Sequence, residues 1–144
     1  MDAILFSADP EIVIVDEAIK HLDTHQELYW EVGTRIIRDK FIFPIVGYIH
    51  VKGRQVEYKA KIIDIVDFSP AHYEDDKLSR EVKPDSWIRA WRENWPEAKA
   101  HNWKHALVMT SIELFSYNTY KLEKYTGGMV CHPPQNYIRV LPPK

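Results

Sequence analysis

Ile42-Phe43-Pro44-Ile45-Val46-Gly47-Tyr48-Ile49-His50-Val51, then Lys52-Gly53-Arg54-Gln55, then Val56-Glu57-Tyr58-Lys59-Ala60-Lys61-Ile62-Ile63-Asp64-Ile65-Val66-Asp67-Phe68, is the stretch from which the rest of the chain takes its meaning. Two runs rich in Val, Ile and aromatic residues flank a short turn that holds a glycine, the pattern of a long β-hairpin. In the second run Tyr58, Ala60, Ile62 and Val66 share one face, and Lys59, Lys61, Ile63 and Ile65 the other. A solvated end thus passes into a doubly buried one. So many Ile and Val belong in a curled sheet or small barrel; an exposed ribbon would not need them.

Upstream of the hairpin, residues 3 to 7 read as a first strand. Asp9-Pro10-Glu11 carries the marks of a helix start, with Ile12, Val15, Ile19 and Leu22 following at helical spacing, so a helix is expected to about His25. The β-branched run Ile12 to Val15 opposes that reading locally. Leu28 to Val32 reads as a short strand, and Arg35, Arg38 and Lys40 form a basic cluster just before the hairpin.

Downstream, Ser69 to Lys83 is polar and reads as a surface loop or insertion. Pro84-Asp85-Ser86 opens a second helix carrying Trp87, Trp91 and Trp95 at four-residue intervals, a stripe expected to pack on the sheet. Trp103 to Phe115 reads as a strand, Tyr117 to Tyr125 as a short helical or turn segment, and Gly127-Gly128 as a turn. Met129 to His132 and Tyr137 to Leu141 are expected as edge strands, where the neighbouring prolines are tolerated.

A chain of 144 residues supports one domain, 1–144, and its ending Pro142-Pro143-Lys144 is consistent with the N-terminal part of a longer protein. Its apolar runs are broken by Pro44, Gly47 or Asp64, too short to span a membrane. Met1-Asp2-Ala3-Ile4 lacks the basic start of a secretory signal, and the single Cys131 excludes an internal disulfide, so a cytoplasmic location is expected. A net charge of −2 argues against a grip on many phosphates, but a pocket for one base needs only a local basic rim. Five Trp among 144 residues suggest an aromatic pocket without locating it.

Enzymatic chemistry finds little support. His21/His25 and His101/His105 have metal-ligand spacing, yet neither pair brings further ligands, so no metal and no cofactor is expected. Cys131 and His132 are neighbours that a strand would point to opposite faces, so Cys131 is expected as a small buried hydrophobe. Phosphate-loop and dinucleotide-binding glycine patterns are missing. The remaining chemistry is recognition. Trp30, between the polar end of the first helix and the basic cluster, is the leading stacking residue for a base extruded from a duplex, with Trp87 or Trp103 opposite it.

The order of these elements, with Gly-Tyr-Ile-His-Val and Val-Glu-Tyr-Lys-Ala-Lys-Ile in the hairpin, resembles the PUA-like superfamily and within it the EVE/YTH-type domains. The closing half, Ala106 to Glu113 and Pro133 to Val140, is the more distinctive part of the resemblance, which covers nearly the whole chain as pattern more than invariant motif. It implies an α+β fold, a small curled PUA-like β-barrel with flanking helices. It also implies a reader of modified, methylated bases in an aromatic cage, as in the specificity subunits of modification-dependent restriction systems of the McrB type. Trp30 then matches the cage Trp after the first helix, with Trp87 or Trp103 as the second wall and Tyr48 of the hairpin beside them.

Arg35, Arg38, Lys40 and Arg54 are the expected phosphate contacts, with DNA favoured over RNA and with a fused or associated motor or nuclease as partner. The acidic stretch 70–85 departs from extended duplex binding. The competing readings are a protein-interaction or regulatory domain on the same fold, which needs a flat apolar patch, and a small metal-dependent hydrolase built on the His pairs.

Overall fold

The computed structural model describes residues 3–10, 14–32, 36–67, 76–93, 105–134 and 136–143. It is an α+β domain: among the described residues six strands form one mixed sheet in the order β2-β5-β4-β3-β1-β6, with three helices. The strands are β1 (Ala3–Ala8), β2 (Leu28–Val32), β3 (Ile45–Val51), β4 (Val56–Asp67), β5 (His105–Tyr117) and β6 (Tyr137–Val140). The helices are α1 (Val15–Thr24), α2 (Asp76–Val82) and α3 (Asp85–Glu93). The expected hairpin is β3 and β4, turning at Gly53, and β5 lies antiparallel along the other side of β4. Among the described residues only β1 and β3 run parallel.

The sheet curls without pairing its two edges, β2 and β6, among the described residues. A flat sheet would hold β1 and β2 about 19 Å apart, four strand spacings. Instead the Phe6 ring of β1 meets the Trp30 indole of β2 edge-on, with centroids 5.2 Å apart. On the same side Arg139 of β6 reaches over the Phe41 ring that follows β2. The concave face so formed holds the main core, including Ile4, Leu28, Ile49, Ile62, Leu107 and Met109. Gly47 makes the curl compatible with packing, since a Cβ there would lie 2.8 Å from both Phe6 Cε1 and Ile62 Cδ1.

Several sequence expectations are corrected. Helix α1 begins at Val15 after an extended Ile14, so β-branched propensity prevails at Ile14, while residues 11–13 lie outside the described residues. In β4 the face assignment holds for Tyr58, Ala60 and Ile62 but not beyond. Register shifts against β5 between Lys61 and Asp64 change the parity. Ile65 thereby enters the main core, and Val66 turns to a separate cluster with Trp91, Ala106 and Tyr29. The polar insertion ends in helix α2, whose Ser79 is buried, as is Lys83 just after it. Met129 contributes an isolated bridge to Glu123 instead of an edge strand, and Cys131 is exposed, not buried.

Candidate functional site

Helices α2 and α3 lie along β2, and α3 reaches both sides of that edge: Trp87 packs with the main core and Trp91 with Tyr29, Val66 and Ala106. Strand alternation places Leu28, Trp30 and Val32 on the concave face. Trp30 is 6% exposed and belongs to the main core, so its assignment as an open stacking face is corrected. Trp87 is half-buried and meets Trp30 edge-on, centroids 5.5 Å apart and planes at 87°. The two rings therefore touch, leaving no slot for a base between them. What Trp87 does carry is a buried indole Nε1 with no hydrogen-bond partner among the described residues, and Oγ of Ser86, the preceding residue, is likewise buried and unpartnered.

Tyr48 does not join this site. It lies on the opposite sheet face, in a second cluster with Leu5, Val56, Leu122, Val130 and Val140. There it borders an open hollow of about 310 Å³ lined also by Pro44, Val46, Lys59, Lys61 and Glu113. Burial pushes its hydroxyl pKa up. Trp103 lies outside the described residues.

The expected phosphate contacts do not converge. Arg35 lies outside the described residues. Arg38 is bound to Asp64, whose hydrogen bond and charge raise its pKa, and it lies over the Phe43 ring. Lys40 is exposed in the 3₁₀ turn Arg38–Lys40. Arg54 is in the hairpin turn, where it pairs with Glu57. Along β4 that turn is up to roughly 26 Å from Asp64, at about 3.3 Å per residue. Arg54 is therefore not part of a cluster with Arg38 and Lys40.

Two polar features had no counterpart in the sequence reading. Arg80, Arg89 and Arg92, with Asp85 and Ile88, line an open hollow of about 350 Å³ where α2 meets α3. Arg89 and Arg92 at helical spacing were visible in the sequence, but Arg80 joins them only across the Pro84 break between the helices. The second feature is a buried pair: Lys83, 1% exposed, donates to the Tyr29 carbonyl at 3.1 Å and to Glu31. Burial pushes the Glu31 carboxyl up to about 8 and the Lys83 ammonium well below its ordinary value.

The histidine pair at the end of α1 is committed to structure. His21 and His25 stack with centroids 4.3 Å apart, and His21 Nε2 donates to the carbonyls of Glu27 and Glu81, each at 3.0 Å. Among the described residues no group of three or more His, Cys, Asp and Glu side chains is placed to hold a metal ion, and no helix is long and apolar enough to cross a membrane. His101 lies outside the described residues. No family model, curated protein or solved structure matches the chain.

Proposed function

We propose that this chain is a nucleic-acid-binding module that reads one modified base, with Trp87 as the ring that meets it and Trp30 as the fixed support beneath. The observation that carries this reading is that two successive residues of α3, Ser86 and the half-buried Trp87, each carry a buried polar atom, Oγ and Nε1, without a hydrogen-bond partner among the described residues. A buried polar group left unpaired costs about 1–3 kcal/mol, so a ligand with an acceptor edge relieves that penalty. A nucleobase offers such an edge beside a π-face, and stacking contributes about 1–3 kcal/mol more. A methyl group on adenine or cytosine adds apolar contact against the aromatic wall.

The likeness of the hairpin and closing strands to EVE/YTH-type domains supports the same reading and its finer fold, an incompletely closed PUA-like barrel. In this proposal the module is a cytoplasmic specificity domain of a modification-dependent restriction system. It acts on DNA in preference to RNA, has no catalytic role of its own, and depends on a fused or associated motor or nuclease. A protein-interaction reading draws on a different spot, the exposed Ile37 and Ile42 beside Phe43.

Short oligonucleotides with and without N6-methyladenine or C5-methylcytosine, titrated at one fixed salt concentration, test the proposal. One methylated form should bind more tightly than its unmodified counterpart. Trp87→Ala, shown folded by circular dichroism, should weaken that form by about tenfold or more, corresponding to about 1.4 kcal/mol. Equal binding of all forms, or a Trp87→Ala protein that keeps the preference, refutes it.

A further inference from the structure

We infer that the hollow beside Tyr48 is a binding site for a small carboxylate with an apolar body, held through its carboxylate by the Tyr48 hydroxyl and the Lys61 ammonium. The site stands apart from base reading, since it lies on the sheet face opposite Trp30 and the main core. Tyr48 carries the inference. It is 4% exposed and borders the hollow of about 310 Å³, yet its hydroxyl makes no hydrogen bond among the described residues. A buried phenol usually finds a partner for its O–H. Unlike the indole N–H of Trp87, this hydroxyl is not sealed from solvent. Burial pushes its pKa up, so the phenol stays protonated through neutral pH and is a donor for a molecule that enters the hollow.

The strand register builds the rest of the site. Tyr48 lies opposite Lys59 and Val46 opposite Lys61; across β4, Lys59 lies opposite Glu113 and Lys61 opposite Ser111. Alternation along each strand puts these six side chains on one face, in two cross-strand rows. Tyr48 and Lys61 are diagonal neighbours, about 7–8 Å apart, a span that two long side chains can close on one carboxylate. Lys59 is already engaged: its Nζ is 3.2 Å from Glu113 Oε1 and 5.1 Å from the Phe115 ring centroid. Glu113 is thereby taken, and the groups left at the hollow, the phenol, the Lys61 ammonium and the Ser111 hydroxyl, can all donate. An exposed lysine without a carboxylate is ordinary on a protein surface. Lys61 matters because its row places it beside the phenol. A carboxylate accepts from both in charge-assisted bonds, and Pro44 and Val46 offer an apolar wall for its body. Small-molecule sites occupy about 300–1,000 Å³, and the hollow falls at the small end of that range.

The test titrates the protein with 2-naphthoate, 2-naphthol and 2-naphthylmethylammonium at neutral pH and one salt concentration, followed by amide correlation spectra. Naphthoate should give saturable shifts at Val46, Tyr48, Lys61 and Ser111 and bind about tenfold or more tightly than naphthol, while the ammonium leaves those amides unmoved. Tyr48→Phe keeps the ring, deletes the donor and should weaken naphthoate about tenfold. Lys61→Gln should weaken it about threefold or more, and Lys20→Gln, on α1, should not change it. Spectra that otherwise overlay the wild type establish that each variant is folded. Shifts that do not saturate, naphthol or the ammonium binding as tightly as naphthoate, or a folded Tyr48→Phe protein with wild-type affinity overturns the site, whatever the oligonucleotide titrations give. Should Tyr48→Phe not fold, wild-type affinity in Lys61→Gln overturns it.

Discussion

Trp30 and Trp87 are in contact, yet substitution should separate them by phenotype. Trp30→Ala removes a ring sealed among Phe6 and the concave core, and should cost about 3–5 kcal/mol in urea unfolding. Trp87→Phe keeps a ring over Trp30 but deletes the unpartnered N–H. Stability should stay the same or rise by up to about 1 kcal/mol, while affinity for the preferred oligonucleotide falls, as paired urea and titration curves would show. Gly47→Ala places a methyl against Phe6 and Ile62, both fixed in the core, and should destabilise by about 1–3 kcal/mol. The burial of Trp30 was legible in Leu28-Tyr29-Trp30-Glu31-Val32, since a five-residue strand puts its odd partners on one face. The polar flanks Tyr29 and Glu31 conceal it, because they belong to the other face and say nothing about what Trp30 touches.

Among the elements, the hairpin and β5 were legible because each residue's neighbours alternate with period two, and β6 because prolines mark an edge. The failures share a cause: structure set by distant partners. The β4 register shift answers to β5, about fifty residues away in sequence, and so no window around Ile63 reveals it. Helix α2 is held by bonds that local polarity hides: the Glu81 carbonyl accepts from His21, and Lys83 just beyond the helix reaches β2. In the intact pair Glu31 and Lys83 hold one proton between them, and the unfolded chain holds the same number through neutral pH, so the pair gives little pH dependence there.

Removing one partner exposes the cost. Lys83→Met leaves Glu31 buried, and should destabilise by about 3–5 kcal/mol at neutral pH, with Glu31→Gln/Lys83→Met recovering most of the loss. With the carboxyl raised from 4.5 to about 8, the folded variant keeps a proton that its unfolded chain releases. Stability of Lys83→Met should therefore be greatest below about pH 4.5 as far as this group is concerned, and decline as pH rises toward 8. Urea midpoints across that range would show the decline, and a flat profile would place Glu31 in contact with solvent.

At the scale of the whole molecule, the curled sheet is fastened on its two faces by neutral histidines. His21 ties α1 to α2 on one side through the Glu27 and Glu81 carbonyls. On the other, His50 in β3 lies 2.7 Å from the Thr119 hydroxyl, which also accepts from the Val56 backbone N–H. The hydroxyl has one proton and two lone pairs, so Thr119 can bond His50 Nδ1 either as donor or as acceptor while it holds the Val56 N–H. Burial lowers the pKa of both rings. As pH falls below about 6.5 the unfolded chain takes up protons that the folded one refuses, so unfolding becomes easier in acid. The urea midpoint should hold from pH 8 to about 6.5 and then fall. His50→Gln, which can keep a bond to Thr119 without titrating, should fall less steeply over the same interval. The Glu31–Lys83 pair cannot produce this step, because it carries equal protons in both states there. A midpoint that stays level from pH 8 to 5 would mean that these rings protonate freely inside the fold, and that neither contact fastens the sheet.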